Sequence, residues 1–153
     1  MTGPTRLSRD EGFSLLEVLI SLVILAVGLL ALALFQVTAI KGNAIASRWT
    51  VATQLTQDRL ESFRHGPWDN VVSSNAAGFS TATMQPIYAN LPASSGDNVV
   101  VPGAQHQYFR VWCVTTDNTA TLRTITVWTC WQDDQGTWHN VMLTTQRANL
   151  GGI

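Results

Sequence analysis

The sequence predicts an α+β protein: a long N-terminal helix, first membrane-spanning and then amphipathic, packed on a small C-terminal antiparallel sheet. Three observations carry this. Residues 18–35 hold no polar side chain except Ser21, and no charge occurs between Glu17 and Lys41. No proline interrupts the chain between Phe13 and Gly66. Three runs of strand type close the chain, separated only by short polar turns. A length of 153 residues suits one ordinary domain. Charged residues are 12% of the chain, about half the usual share, against 46% hydrophobic residues. A wholly cytosolic enzyme of this size does not normally carry such a stretch.

Residues 1–12 are polar, with Arg6 and Arg9 beside Asp10 and Glu11, and Gly3 and Pro4 oppose a helix. Residues 13–40 are long enough to cross a bilayer core as a helix. The arginines ahead of them predict a cytoplasmic N-terminus, although Lys41 and Arg48 on the other side weaken the bias. Within 41–65, Ile45, Trp49, Ala52, Leu55, Leu60 and Phe63 recur near i, i+3, i+4 spacing. Asn43, Ser47, Arg48, Thr53, Gln57, Arg59 and Arg64 fill the remainder. That is a helix with one buried face, and His65-Gly66-Pro67 ends it.

The head comprises 66–153. Its first part, 66–105, is rich in Gly, Ser, Asn and Pro and reads as a long loop holding one short helix or strand. Strands follow at 107–116, 122–132 and 137–147, with turns at Asp117-Asn118-Thr119 and Asp133-Asp134-Gln135-Gly136. Short turns imply a meander. The alternation of Phe109, Val111 and Cys113 with Arg110, Trp112 and Val114 predicts a sheet covered on one face by the amphipathic half of the helix. Trp112, Trp128 and Trp131 flank the two cysteines. Core packing is their first reading, and a sticky surface for a partner the second.

Several function classes are excluded. Nine Lys and Arg against ten Asp and Glu leave a net charge of -1 and no basic patch for nucleic acid. His65, His106 and His139 have no ligand spacing, and Asp133-Asp134 reads as a hairpin turn before it reads as a calcium site. There is no phosphate loop and no nucleophile-base arrangement. The expectation is a protein that is not an enzyme and takes no cofactor or metal.

The informative motif is Gly12-Phe13-Ser14-Leu15-Leu16-Glu17, followed at once by the apolar run. On insertion scales a carboxylate costs about 2.5–3.5 kcal/mol at the bilayer centre, so it usually has a partner. Cleavage after Gly12 would free an amine on Phe13, four residues before Glu17. In an array of parallel helices, an axial offset would bring one chain's Glu17 to a neighbour's amine.

These residues resemble the class III signal of type IV pilins and pseudopilins. That family has a short leader ending in Gly, cleavage before an N-methylated Phe, and Glu as fifth residue of the mature chain. The order of long helix, variable loop and antiparallel sheet with two cysteines is also similar. Residues 12–36 and the stretch 52–64 are most similar to PilV-type minor pilins. The resemblance implies a prepilin peptidase cleavage site at Gly12 and Phe13, N-methylation of Phe13, and assembly through Glu17. It implies a structural subunit that waits in the inner membrane with its head in the periplasm, then helps prime or cap a pilus at the cell surface. Its partners would be other pilins, the prepilin peptidase and the pilus assembly platform. Two features depart from the pattern. Asp10 and Glu11 stand where a basic residue is common, and no helix-breaking proline occurs near Leu34, which suits a minor component better than a bulk one.

The alternatives are a minor pseudopilin of a type II secretion system and a signal-anchored periplasmic binding domain. Ala31-Leu32-Ala33 satisfies the small-x-small rule for a secretory signal, but Glu17 would then lie inside an unusually long apolar region. Cys113 and Cys130 fall on adjacent predicted strands of an exported head, so a disulfide is expected, with two buried free thiols as the alternative. Such a bridge would be worth about 3 kcal/mol in the chain-entropy model.

Overall fold

The computed structural model describes residues 13–102 and 106–149. They form one helix, α1 (Leu15–His65), and six strands. Two short strands, β1 (Phe79–Ser80) and β2 (Gln85–Pro86), make an antiparallel pair. The other four, β3 (Asp97–Val100), β4 (Gln107–Thr116), β5 (Leu122–Gln132) and β6 (Trp138–Ala148), make an antiparallel sheet in sequence order. The expected α+β architecture is therefore present, and α1 has no break. Ser14 starts it, accepting a hydrogen bond from the Glu17 amide on its side chain at 3.3 Å. Gly66 closes it by donating to the Ser62 carbonyl, and Pro67 prevents continuation.

The described chain divides into two compact units between Ile45 and Ala46. In the first, the described residues are the helix from Leu15 and the two residues ahead of it. Its large apolar side chains from Leu15 to Ile40 are all exposed, and its hydroxyls are satisfied locally: Ser21 donates to the Glu17 carbonyl and Thr38 to the Leu34 carbonyl.

In the second unit the remainder of α1 lies on one face of the sheet. Ala52 packs with Tyr108 and Trp131, and Phe63 with Trp112, Ile125 and Val127. Between these clusters the buried Thr56 meets Thr129 at 2.7 Å. The expected apolar face is realised at Ala52, Leu55, Leu60 and Phe63, whereas Ile45 stays 54% exposed. Arg59, expected on the polar side, lies over the rings of Trp112 and Phe63 instead.

Two expectations are corrected. First, the sheet is covered on both faces, not one. The segment 76–91, which contains three-residue helical turns at Ala76–Gly78 and Tyr88–Asn90, lies on the face opposite α1. There Phe79 stacks on Trp128, and Tyr88 on Trp138. β4 and β5 are consequently buried almost continuously rather than alternately. Gly78 permits this closeness, because a Cβ there would lie 2.4 Å from the Ser94 carbonyl oxygen. Second, the sheet has a fourth strand, β3, inside what reads as loop.

Trp112, Trp128 and Trp131 are 7%, 1% and 1% exposed, so they are core. Truncating one such ring typically costs about 3–5 kcal/mol.

Both hairpin turns are built by an aspartate. Asp117 accepts from the Thr121 and Leu122 amides, each at 2.9 Å, with Ala120 at φ 55. Asp133 accepts from the Gln135 and Thr137 amides at 2.9 and 2.8 Å, with Gly136 at φ 78.

Candidate functional site

The candidate site is the N-terminal stretch of α1. Gly12, half of the expected cleavage junction, lies outside the described residues, as does the rest of the expected leader at 1–12. Phe13 precedes the helix and is 83% exposed. Glu17 occupies the first turn, where a carboxylate complements the unpaired amides and positive end of the helix dipole. Its side chain is exposed, and among the described residues no cation pairs with it. The Ser14-x-x-Glu17 spacing is also that of a capping box. That spacing is a local sequence signal, and it gives Ser14 a role of its own: it sets where the helix begins.

From Val18 to Phe35 the surface is hydrocarbon apart from the Ser21 hydroxyl. This is the one helix, among the described residues, long and apolar enough to cross a membrane. Gly28 and Gly42 have nothing within 4 Å of a notional Cβ, so nothing within this chain requires them to be small.

In the head, the expected disulfide is absent. Cys113 stands opposite Thr126, and Cys130 opposite Phe109. The two thiols share one face of the sheet but lie four ladder positions apart. At roughly 3.3 Å per residue that is about 13 Å, whereas a bridge needs Cα atoms within about 7 Å. Both are free and buried. Burial pushes the Cys130 thiol up to about 12 and raises that of Cys113. They behave as small apolar side chains in the cluster with Phe79, Val111 and Trp128.

The remaining polar candidates are structural in their contacts. His65 pairs with Glu61 one helical turn away at 2.7 Å. His139 lies 2.9 Å from Asp133 and stacks on Trp131. Asp134 takes Arg48 at 3.0 and 3.1 Å and lies 3.3 Å from His106. Through Asp134 the second hairpin is tied to α1, a contact no local signal announces, since 86 residues separate the partners. Arg110 makes a two-pronged pair with Asp97 at 2.6 and 2.7 Å and donates to the Leu55 carbonyl, tying β3 and β4 to the helix. No group of three or more His, Cys, Asp or Glu side chains suited to a metal ion occurs among the described residues.

The family model described as "Prokaryotic N-terminal methylation motif" matches residues 7–33, a span that includes Gly12, Phe13, Ser14, Glu17 and most of the apolar run. No curated protein and no solved structure matches the chain. The motif supports a type IV pilin-like protein, a pilin or a pseudopilin, and together with the long apolar helix it is consistent with membrane anchoring.

Proposed function

We propose that this chain is a PilV-like minor pilin, a structural subunit and not an enzyme. A prepilin peptidase cuts it between Gly12 and Phe13, the new N-terminus on Phe13 is methylated, and the subunit joins others to prime or cap a pilus. The observation that supports this best is the methylation motif at 7–33 leading into an uninterrupted helix whose large apolar side chains from Leu15 to Ile40 find no partner among the described residues. Before assembly, lipid covers those side chains. In a filament, parallel helices of neighbouring pilins would cover them, with Glu17 meeting a neighbour's Phe13 amine.

Mass spectrometry of the mature protein tests the processing step. A start at methylated Phe13 is expected, and a start at Leu34 overturns the reading in favour of a secretory signal. Deletion of the gene distinguishes pilus from secretion. Loss of surface pili and twitching with export intact is expected, and loss of an exported enzyme with pili intact assigns the subunit to a type II secretion system.

A further inference from the structure

Two buried side-chain nitrogens lack a hydrogen-bond partner among the described residues, Arg59 Nε and His106 Nε2. His106 Nε2 at least lies 3.3 Å from Asp134. Arg59 has no such neighbour. A buried donor left unpaired is costly, and in a native structure it calls for an explanation.

The other described arginines show how unusual this is. Arg48 is held by Asp134, Arg64 by Glu61 and Arg110 by Asp97. Arg123 donates to the Trp68 and Val71 carbonyls, and Arg147 to the Phe63 carbonyl. Among the described residues no carboxylate pairs with Arg59 and no carbonyl accepts from its guanidinium. Of its three nitrogens only Nε is buried, so Nη1 and Nη2 reach the surface with no acceptor.

The guanidinium is nevertheless fixed in place. It lies over the Trp112 ring, 3.9 Å from the centroid, and over the Phe63 ring at 4.6 Å. The Trp112 ring is itself held by its N–H on the Val72 carbonyl and by the close approach of Gly96. A guanidinium held over ring faces keeps its edge N–H groups for a planar oxyanion. Covering Trp112 does not by itself demand a charge. Met or Leu would cover it without burying an unpaired donor.

The charge balance names the ligand. Burial lowers the Arg59 pKa, while Asp97 opposes this and Arg110 adds to it. Both Asp97 oxygens are already taken by Arg110, at 2.6 and 2.7 Å. Arg59, Arg110 and Asp97 together therefore carry one positive charge in excess, which a monoanion neutralises. A carboxylate has that charge and two oxygens spaced for parallel bonds from one guanidinium. A phosphate monoester would bring about −1.5 to −2. Of the residues not described, only Asp10 and Glu11 have carboxylate side chains, and both precede Gly12. One guanidinium edge holds a free carboxylate only weakly, so the occupant arrives on a larger partner that adds contacts of its own.

We propose that Arg59 is a binding site for a carboxylate side chain of another polypeptide, bonded end-on through Nη1 and Nη2. The site stands apart from the pilin-like reading, so a failed methylation assay leaves it standing.

The test uses the full chain in detergent, isotope-labelled at arginine, with NMR of the arginine side-chain N–H signals. The probes are N-acetylglutamate N-methylamide and its glutamine counterpart. The Arg59 signal, identified by its loss in Arg59→Lys, should shift roughly threefold more with the glutamate probe than the signals of Arg48, Arg64, Arg110, Arg123 and Arg147. It should also shift roughly threefold more than with the glutamine probe. Arg59→Met should unfold in urea at the parent's midpoint or above it, because it still covers Trp112 and removes the unpaired donor. An Arg59 response no larger than the others, or an equal response to the glutamine probe, would overturn the proposal. So would a midpoint below the parent's, by marking the guanidinium as structural. Sedimentation of the parent and Arg59→Gln separates the sources of the carboxylate. Self-association that Arg59→Gln abolishes assigns it to a second copy, whose exposed Asp58 and Asp69 pair with no cation among the described residues. Absence of any Arg59-dependent self-association assigns it to a different chain.

Discussion

Thr56 on α1 and Thr129 on β5 meet at 2.7 Å, both with no solvent exposure, at the centre of the contact between helix and sheet. The Thr56 oxygen also lies 2.7 Å from the Ala52 carbonyl oxygen. A hydroxyl has one hydrogen, so Thr56 gives it to the carbonyl and Thr129 donates to Thr56. The two residues are thus not equivalent. Thr56→Val strands the Thr129 donor in the core and should cost about 1–3 kcal/mol, whereas Thr129→Val leaves Thr56 satisfied and should cost about 1 kcal/mol or less. Urea unfolding of the two variants checks the order, and the reverse order would mean that the hydrogens run the other way.

Gly96 marks a second close approach. A Cβ there would lie 2.2 and 2.3 Å from two ring carbons of Trp112 and 2.8 Å from Ser74 Cβ. The ring is held by its indole N–H donating to the Val72 carbonyl at 2.9 Å and by Phe63 and Arg59, so it has little room to yield. Gly96→Ala should destabilise the head by about 1–3 kcal/mol, the usual cost of overpacking. Chemical denaturation followed by tryptophan fluorescence measures it, and an unchanged midpoint would show that the ring moves freely.

Acid should loosen the second hairpin. The His139 side chain, then the Thr137 and Gln135 amides, hold the Asp133 carboxyl below the ordinary carboxylate range. A carboxyl whose pKa is lower folded than unfolded stabilises above the unfolded value, near 4, and that contribution fades as the pH falls through the folded value. Asp133→Asn should therefore lower Tm near neutrality and flatten its decline between about pH 5 and 3. A decline as steep as the parent's would place the acid-sensitive group elsewhere, with Asp117 the next candidate because Thr119 and the Leu122 and Thr121 amides depress it in the same way.

Glu17 tests the assembly mechanism. An unpaired carboxylate in lipid is costly, and one paired with a neighbour's amine is much less so. Glu17→Val should be expressed, cleaved and retained in the membrane as the parent is, while its incorporation into filaments falls. The Ser14 cap accepts from the backbone amide of residue 17 and is intact in this variant, so the helix start is retained. Quantification in sheared filaments against membranes reads the result. Undiminished incorporation would make Glu17 a first-turn residue that complements the helix dipole and nothing more.

The apolar run, the absence of proline to Gly66, the glycine-proline stop and the strand and turn chemistry are local properties, and each element they predict is present. β4 and β5 coincide with the predicted runs, and β6 is displaced by one residue at each end. The motif at Gly12, Phe13 and Glu17 is equally local. Three matters were decided only in the folded head. The register of β4 on β5 separates Cys113 from Cys130, and it follows from how Asp117 closes the intervening turn rather than from the period-two pattern. That pattern states which residues share a face but not their height along it. The second covered face and β3 arise from 66–100, where glycine, serine and proline obscure any periodicity and the contacts are made across long sequence separations. The edge position of β6 is likewise a property of strand order. A strand's sequence is the same at an edge as at a centre, and only its neighbours determine which backbone groups remain unpaired.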